Sequence, residues 1–339
     1  MRQTSKQRLV QTTNATSTGY HRDGNNNCCC GDNESYAFEG YTELGYYNSD
    51  RFIPTGNRYE RTDGKPIKAY GLEIEMVSEY INRQQVIANV IHNIVVKRFK
   101  TTKPLYLMKY QHDGSLRNDY GNDWAVECIT QPMTKEFIRN NYSVWRCMFE
   151  DLKNGFGIHT NRTCGMHCNL STALFGKDTE EQYDNILKLY YIIHKYFDMF
   201  WSLFLRRGDN TYCAPDRYVQ RVSIDEFRVL YKKGGSRELS NESDHYTAIN
   251  TGHIATGRLE LRLVGSCTTF AQFRNTMELV FFLVDKVKKL SWKQLDNFVS
   301  IFSGCNQYVY DRLETKNGGY ITEQQLKDIK ETIKEEQLI

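Results

Sequence analysis

Alternating apolar and polar positions mark the strands of this chain. In YGLEIEM, residues 70 to 76, Leu72, Ile74 and Met76 fall on one face of an extended segment while Glu73 and Glu75 share the other. GMHCNLS repeats the pattern, with Met166, Cys168 and Leu170 on one side and His167, Asn169 and Ser171 on the other. In GRLELRLVG, Leu259, Leu261 and Leu263 oppose Arg258, Glu260 and Arg262. DWAVECIT carries Glu127 in a mostly apolar run, after the turn HDGSL headed by Asp113.

Between these segments the period changes to that of helices. Apolar positions recur at helical spacing near 81 to 99, 134 to 153, 179 to 205 and 268 to 290, with shorter stretches near 224 to 233 and 292 to 302. Residues 1 to 60 show no sustained period and few aliphatics, which predicts a flexible or irregular arm. A domain over 61 to 315 follows, and the segment 316 to 339 reads as a charged helix with a narrow apolar stripe at Leu326, Ile329, Ile333 and Leu338.

The polar strand faces change the picture from fold to chemistry. A solvated face would show Thr, Lys and mixed polar residues, whereas these strands present glutamates, a histidine, an asparagine and arginines. Hard divalent cations such as Mg²⁺ take oxygen ligands and are shared between a few carboxylates and substrate phosphates, while arginines neutralise phosphate charge. The combination points to metal–nucleotide chemistry. Neither GxxxxGK[ST] nor GxGxxG occurs, so a bound nucleotide is not held by a P-loop or a Rossmann turn.

Composition narrows the partners. Lys+Arg 44 against Asp+Glu 41 in 339 residues leaves a net charge of +3, too balanced to call for nucleic acid or an anionic membrane. The first twenty residues lack an apolar signal region, and LYYIIHKYFDMFWSLFL is interrupted by His194, Lys195 and Asp198, so the expectation is a soluble, cytoplasmic protein. The ten cysteines then read as reduced thiols. In CGMHC, Cys164, His167 and Cys168 have no second ligand pair nearby to complete a structural zinc site, and small buried thiols are the simpler reading.

The ordered set YGLEIEM, HDGSL with VECITQPM, CGMHCNLS, RRGDNTYCAP, and YTAIN with GRLELRLVGSCTTF resembles the amidoligases, relatives of glutamine synthetase and glutamate–cysteine ligase, over about residues 68 to 290. The resemblance implies an α+β, glutamine synthetase-like fold, a curved, mainly antiparallel sheet with helices packed on its outer face, and an ATP-dependent ligation of a carboxylate to an amine. By position, Glu73, Glu75, Glu127 and Glu260 match metal-binding carboxylates, and Arg262 matches the arginine that meets the phosphate. His167 matches the family's histidine near nucleotide and metal, with Asn169 and Ser171 beside it. Asp113, Arg207 and Asn250 match further motif positions; Asp113 joins Arg262 and Glu260 as a catalytic candidate, and Arg207 and Arg258 join the nucleotide-binding set. One departure is Cys168 and Asn169, where relatives often carry a second histidine and a β-branched residue.

Bland alternatives accompany several of these residues. Arg206 and Arg207 are placed to end the long helix favourably, Arg258 to be a solvated strand-edge cation, and Tyr212 and Cys213 to pack. His112, His159, His194, His245 and His253 lack the polar company that His167 has. Two rival functions remain: a non-catalytic binding or structural protein that keeps the ligase fold, and another metal enzyme such as a phosphoesterase, for which a nucleophile or richer His and Asp clusters are expected. On the ligase reading the partners are small-molecule or peptide carboxylates and amines, and nothing in the sequence fixes the oligomeric state.

Overall fold

The computed structural model describes residues 67–78, Ile81, 84–99, 108–111, Leu116, 125–206, 213–231, Leu239, 246–267 and 269–333. The expected arm over residues 1–60 lies outside them, as do Asp113, Arg207 and the three consecutive cysteines at 28–30.

The alternating segments become antiparallel strands: β1 (Tyr70–Ser78), β2 (Met108–Gln111), β3 (Ala125–Thr130), β4 (Ile158–His159), β5 (Met166–Ser171), β6 (Ile249–Asn250) and β7 (Arg258–Leu261). They form one sheet in the order β2-β3-β1-β5-β7-β6, with β4 alongside β1. Because β1 is central, both of its neighbours stack their side chains beside its own. Glu75 lies opposite Glu127 of β3, and Glu73 lies opposite His167 of β5. Farther along, Glu260 of β7 lies opposite both Asn169 of β5 and Asn250 of β6. The register therefore lines the polar positions of five strands into one row.

The other face of the sheet is core. Leu72, Ile74, Met76, Val126, Cys128, Met166, Cys168, Leu170, Leu259 and Leu261 are all buried in a single apolar cluster with the helices. Those helices are α1 (Gln84–Phe99), α2 (Lys135–Asn140), α3 (Tyr142–Glu150), α4 (Thr179–Lys195), α5 (Phe197–Leu203), α6 (Arg217–Arg221), α7 (Ile224–Tyr231), α8 (Phe270–Val287), α9 (Phe298–Phe302), α10 (Gln307–Lys316) and α11 (Glu323–Glu331). The two longest apolar ones, α4 and α8, pack on each other. Both begin at side-chain caps: Asp178 accepts from the Glu181 amide at 2.9 Å and Thr269 accepts from the Gln272 amide at 3.3 Å. None of these helices is long and apolar enough to cross a membrane.

The helix expected over 134 to 153 is interrupted at Asn141, whose side-chain amide donates to the Phe137 carbonyl at 2.8 Å and closes α2 before α3 begins. The pattern over 179 to 205 likewise breaks at Tyr196, which leaves helical geometry at φ −112 and ψ 39. Apolar periodicity runs through both breaks because each pair of helices faces the same core. At the C-terminus Ile329 of α11 is fully buried in the common core, with Leu326 and Ile333 packed against it, and the Lys330 ammonium lies 5.4 Å from the Tyr310 ring of α10. The boundary expected at 316 thus falls at the last residue of α10, and α11 shares the core of the helices before it. Leu338, the last position of the expected stripe, lies outside the described residues.

Candidate functional site

Alternation sets where each polar side chain points, and burial sets what it must do there. Glu75, His167, Asn169, Glu260 and Arg262 are each exposed by less than a tenth. A solvated sheet face is therefore not what this row forms. Charges withdrawn from water need partners, and most of the row supplies them internally.

His167 sits at the middle. Its Nδ1 lies 3.0 Å from Glu73 Oε2 and 3.2 Å from Glu260 Oε1, and its Nε2 lies 3.8 Å from Glu75 Oε1. Burial and the Arg262 charge press the imidazole pKa down, but the bond to Glu73 and the charges of Glu260 and Glu75 reverse them, so it ends above its ordinary 6.5. Burial likewise pushes Glu73 up, yet the bond to and charge of His167, the Asn169 amide at 2.8 Å and the Arg258 charge hold it at about 2. Asn169 makes that bond with its nitrogen, and its oxygen is buried without a hydrogen-bond partner.

Glu260 is engaged at both oxygens. Arg262 donates to Oε1 at 2.6 Å and the Asn250 amide donates to Oε2 at 3.1 Å. Glu75 is fixed from the far end of the chain: the Gly165 amide donates to its Oε2 and the Ser266 hydroxyl donates to its backbone carbonyl at 3.0 Å. Gly165 pairs with Gly265 across the sheet end, and a β-carbon at the first would overlap the Arg206 guanidinium, at the second the Leu205 carbonyl. The backbone contact makes glycine necessary at Gly265, whereas at Gly165 the guanidinium would have to move aside.

One group among the described residues offers ligand atoms mutually within 4.8 Å, namely Glu73, Glu127 and His167. Of the four carboxylates expected to bind metal, the structure thus gathers Glu73 and Glu127 with His167. Glu75 flanks them opposite Glu127, and Glu260 is turned toward Arg262 and Asn250. Two directly opposed carboxylates repel unless a cation lies between them. The carboxylate oxygens of Glu73 and Glu127 are hard donors of the kind divalent cations such as Mg²⁺ take, and the His167 imidazole is a softer one.

Other expected residues are placed differently. The Ser171 hydroxyl donates to the Ile67 carbonyl, at the edge of the row and opposite Arg258. Arg258 is only partly buried, and its charge acts on Glu73. Asp113 and Arg207 lie outside the described residues. Cys164 and Cys168 belong to no metal cluster among the described residues, and burial pushes the Cys164 thiol up to about 12, which keeps it protonated. His253, which has no polar company in the sequence, feels the charges of Arg258, Glu260 and Glu73 once β6 and β7 fold back. Its only sequence signal is its place between the YTAIN and GRLELRLVG segments. His194 is buried and accepts from the Asp216 amide at 2.8 Å, a structural use on α4.

These shifts give a pH prediction with two limbs. Glu73 has a depressed folded value, so its stabilisation is present above the ordinary 4.5 and is lost as pH falls toward about 2. His167 has a raised folded value, so its stabilisation is present below 6.5 and is lost as pH rises through that folded value. With chelator present, melting temperature should fall on both sides, and His167→Gln should flatten the alkaline limb. An unchanged alkaline limb in the variant would show that His167 is not the group titrating.

No known protein family matches the chain, and no curated protein matches it. Among solved structures, a bifunctional glutathione synthetase from Pasteurella multocida is similar at 15% identity and a TM-score of 0.32, over 78% of this chain and 46% of that one. The chain spans less than half the length of that protein, and a likeness this loose carries no weight for the site.

Proposed function

We propose that the protein is an ATP-dependent carboxylate–amine ligase of the glutamine synthetase-like type that the sequence motifs resemble. The observation that carries the reading is the buried row itself: Glu73, Glu127 and His167 close enough to share a cation, continuing to Glu260 with Arg262 bound to it. A purely structural sheet has no need of opposed carboxylates in a buried row. A phosphoesterase would call for a nucleophile or more His and Asp ligands, and the row has neither.

A carboxylate resists attack by an amine until one of its oxygens becomes part of a leaving group. In the proposed reaction a substrate carboxylate oxygen attacks the γ-phosphorus of ATP, the bond to the β-phosphate oxygen breaks, and ADP departs, leaving an acyl phosphate. The amine nitrogen then attacks the acyl carbon, phosphate leaves with the former carboxylate oxygen, and the nitrogen loses a proton. Phosphoryl transfer of this kind is limited by positioning and charge neutralisation. Mg²⁺ held by Glu73 and Glu127, with Glu75 beside them, would supply that neutralisation on the phosphate oxygens. Arg262, oriented by Glu260, stands ready to donate to the transferred group. His167 and Asn169 keep Glu73 ionised and fixed in direction. Nucleotide-binding roles for Asn169, Ser171, Arg207 and Arg258, and a catalytic role for Asp113, complete the proposal.

The binding test is calorimetry of ATP with and without Mg²⁺. Nucleotide and metal should bind together and weakly apart, because the cations need phosphate oxygens to complete their shells. Equal ATP affinity in excess chelator would remove the metal from the mechanism.

A further inference from the structure

His194, on the last turn of α4, is fully buried, and the way it is held decides its protonation state. The Asp216 backbone amide donates to its Nδ1 at 2.8 Å, so that nitrogen carries no proton. The proton of the neutral ring sits on Nε2, which is buried without a hydrogen-bond partner. A second proton has only Nδ1 to go to, and there it would meet the Asp216 N–H, donor against donor. Protonation of His194 and its bond to Asp216 therefore exclude each other. The Asp216 carboxylate is no ready alternative partner. It already accepts from the Tyr218 and Val219 amides at 2.9 and 3.4 Å and from the Tyr190 and Tyr231 hydroxyls at 3.1 and 3.0 Å. Around the imidazole, the Tyr190 ring of the same helix lies 4.1 Å away, Tyr231 reaches in from α7, and the Lys195 ammonium turns to the Gln220 and Val222 carbonyls. Burial lowers the imidazole pKa to about 4, against the charge of Asp216, which raises it.

What this bond holds reaches the proposed chemistry. Asp216 caps α6, and two residues before it Ala214 pairs with Thr247. The Ala214 amide donates to the Tyr246 carbonyl at 2.7 Å, and its carbonyl accepts from the Ala248 amide at 2.9 Å. The Ala248 carbonyl in turn accepts from the Arg262 amide at 2.9 Å, and Asn250, two residues on, donates to Glu260. We propose that His194 and Asp216 form a proton-operated latch: neutral His194 pins residues 213–216 against the start of β6, which seats Arg262 and Glu260, and protonated His194 releases them. Acid then loosens the phosphate-facing pair while the core stays folded. The inference rests on the ligase reading only for what Arg262 and Glu260 do in the reaction. The latch itself rests on His194 and Asp216.

The test is amide hydrogen exchange read by mass spectrometry on the full chain across the weakly acidic range, corrected for the intrinsic pH dependence of exchange, with ADP formation measured alongside. The stabilisation that neutral His194 gives is present above the ordinary 6.5 and is lost as pH falls toward about 4. Opening of peptides over 213–222 and 246–263 should therefore rise by up to about tenfold per pH unit across that window, while α8 stays protected. Asp216→Asn keeps a capping oxygen but removes the charge that favours the proton, so it should move the rise to lower pH. His194→Asn, whose side-chain oxygen can accept from the Asp216 amide but does not titrate, should abolish the rise. Exchange that ignores pH in the unaltered protein would overturn the proposal, as would a rise at the same pH in Asp216→Asn. Loss of protection in α8 in step with the two peptides would also overturn it, since that is unfolding of the whole molecule. If both peptides open as expected and ADP formation does not fall with them, the latch stands and the ligase reading of Arg262 falls.

Discussion

Glu260→Gln is expected to suppress ADP release by about a hundred- to a thousandfold, the loss seen when one oriented donor to a developing oxyanion is removed. The substitution keeps the shape of the side chain and an oxygen that can still accept from Arg262 or Asn250. What it removes is the negative charge that fixes Arg262 at 2.6 Å and faces His167 at 3.2 Å. Arg262 then loses the charged partner that orients it, and the transferred phosphoryl group loses its oriented cation. Circular dichroism should show the native helix and strand content, and steady-state ADP formation should show the loss. A variant that no longer melts cooperatively would make Glu260 a structural residue, and a variant with full turnover would take Arg262 out of the reaction.

Glu278→Ala should cost about 3–5 kcal/mol of stability, the toll of removing one partner of a buried charge cluster. Glu278 of α8 is completely buried and accepts four hydrogen bonds from three residues, two of them near 140 and one at 306. Arg139 of α2 grips it with two nitrogens at 3.0 and 2.6 Å, the Tyr142 hydroxyl donates at 2.7 Å, and the Asn306 amide donates at 2.8 Å. Removing the carboxylate takes this shared acceptor from all of these donors and opens a cavity beneath α2 and α3. Urea unfolding measures the effect, and Glu278→Gln should lose less because it can still accept two of the bonds. A loss below about 1 kcal/mol for the alanine variant would mean that the donors find other partners.

Alternation made the sheet legible from sequence, because a period of two survives only where one face is core; Leu72, Ile74 and Met76 could face inward only by turning Glu73 and Glu75 together. The same rule located His167, Asn169, Glu260 and Arg262 before their neighbours were known. Strand order and register were not legible, since they depend on pairings across as many as a hundred residues, and only they reveal that Glu73 meets His167 and that Glu260 turns to Arg262. Helix breaks at Asn141 and Tyr196 were hidden by apolar periodicity that continued through them. Arg206 had an acceptable role as a helix-ending cation, and nothing local to it showed that it would reach Gly165. Glu278 did leave a trace, a lone carboxylate in the apolar stretch of FRNTMELVFF, but its partners lie at 139, 142 and 306 and no motif joins them.

The position of β1 bears on how the molecule is made. It is early in the sequence yet central in the sheet, and its Glu75 is held by Gly165 and Ser266, 90 and 191 residues later. A chain growing from the ribosome must therefore carry an incomplete sheet, with opposed carboxylates on β1 and β3 and no β7 to bring Arg262, until more than 260 residues have been synthesised. Long-range pairings of this kind slow folding and prolong exposure of open strand edges. Synthesis stalled between β5 and β7 should thus yield a species prone to aggregation, in which Glu73, Glu75 and Glu127 stand with His167 but without Arg258 and Arg262.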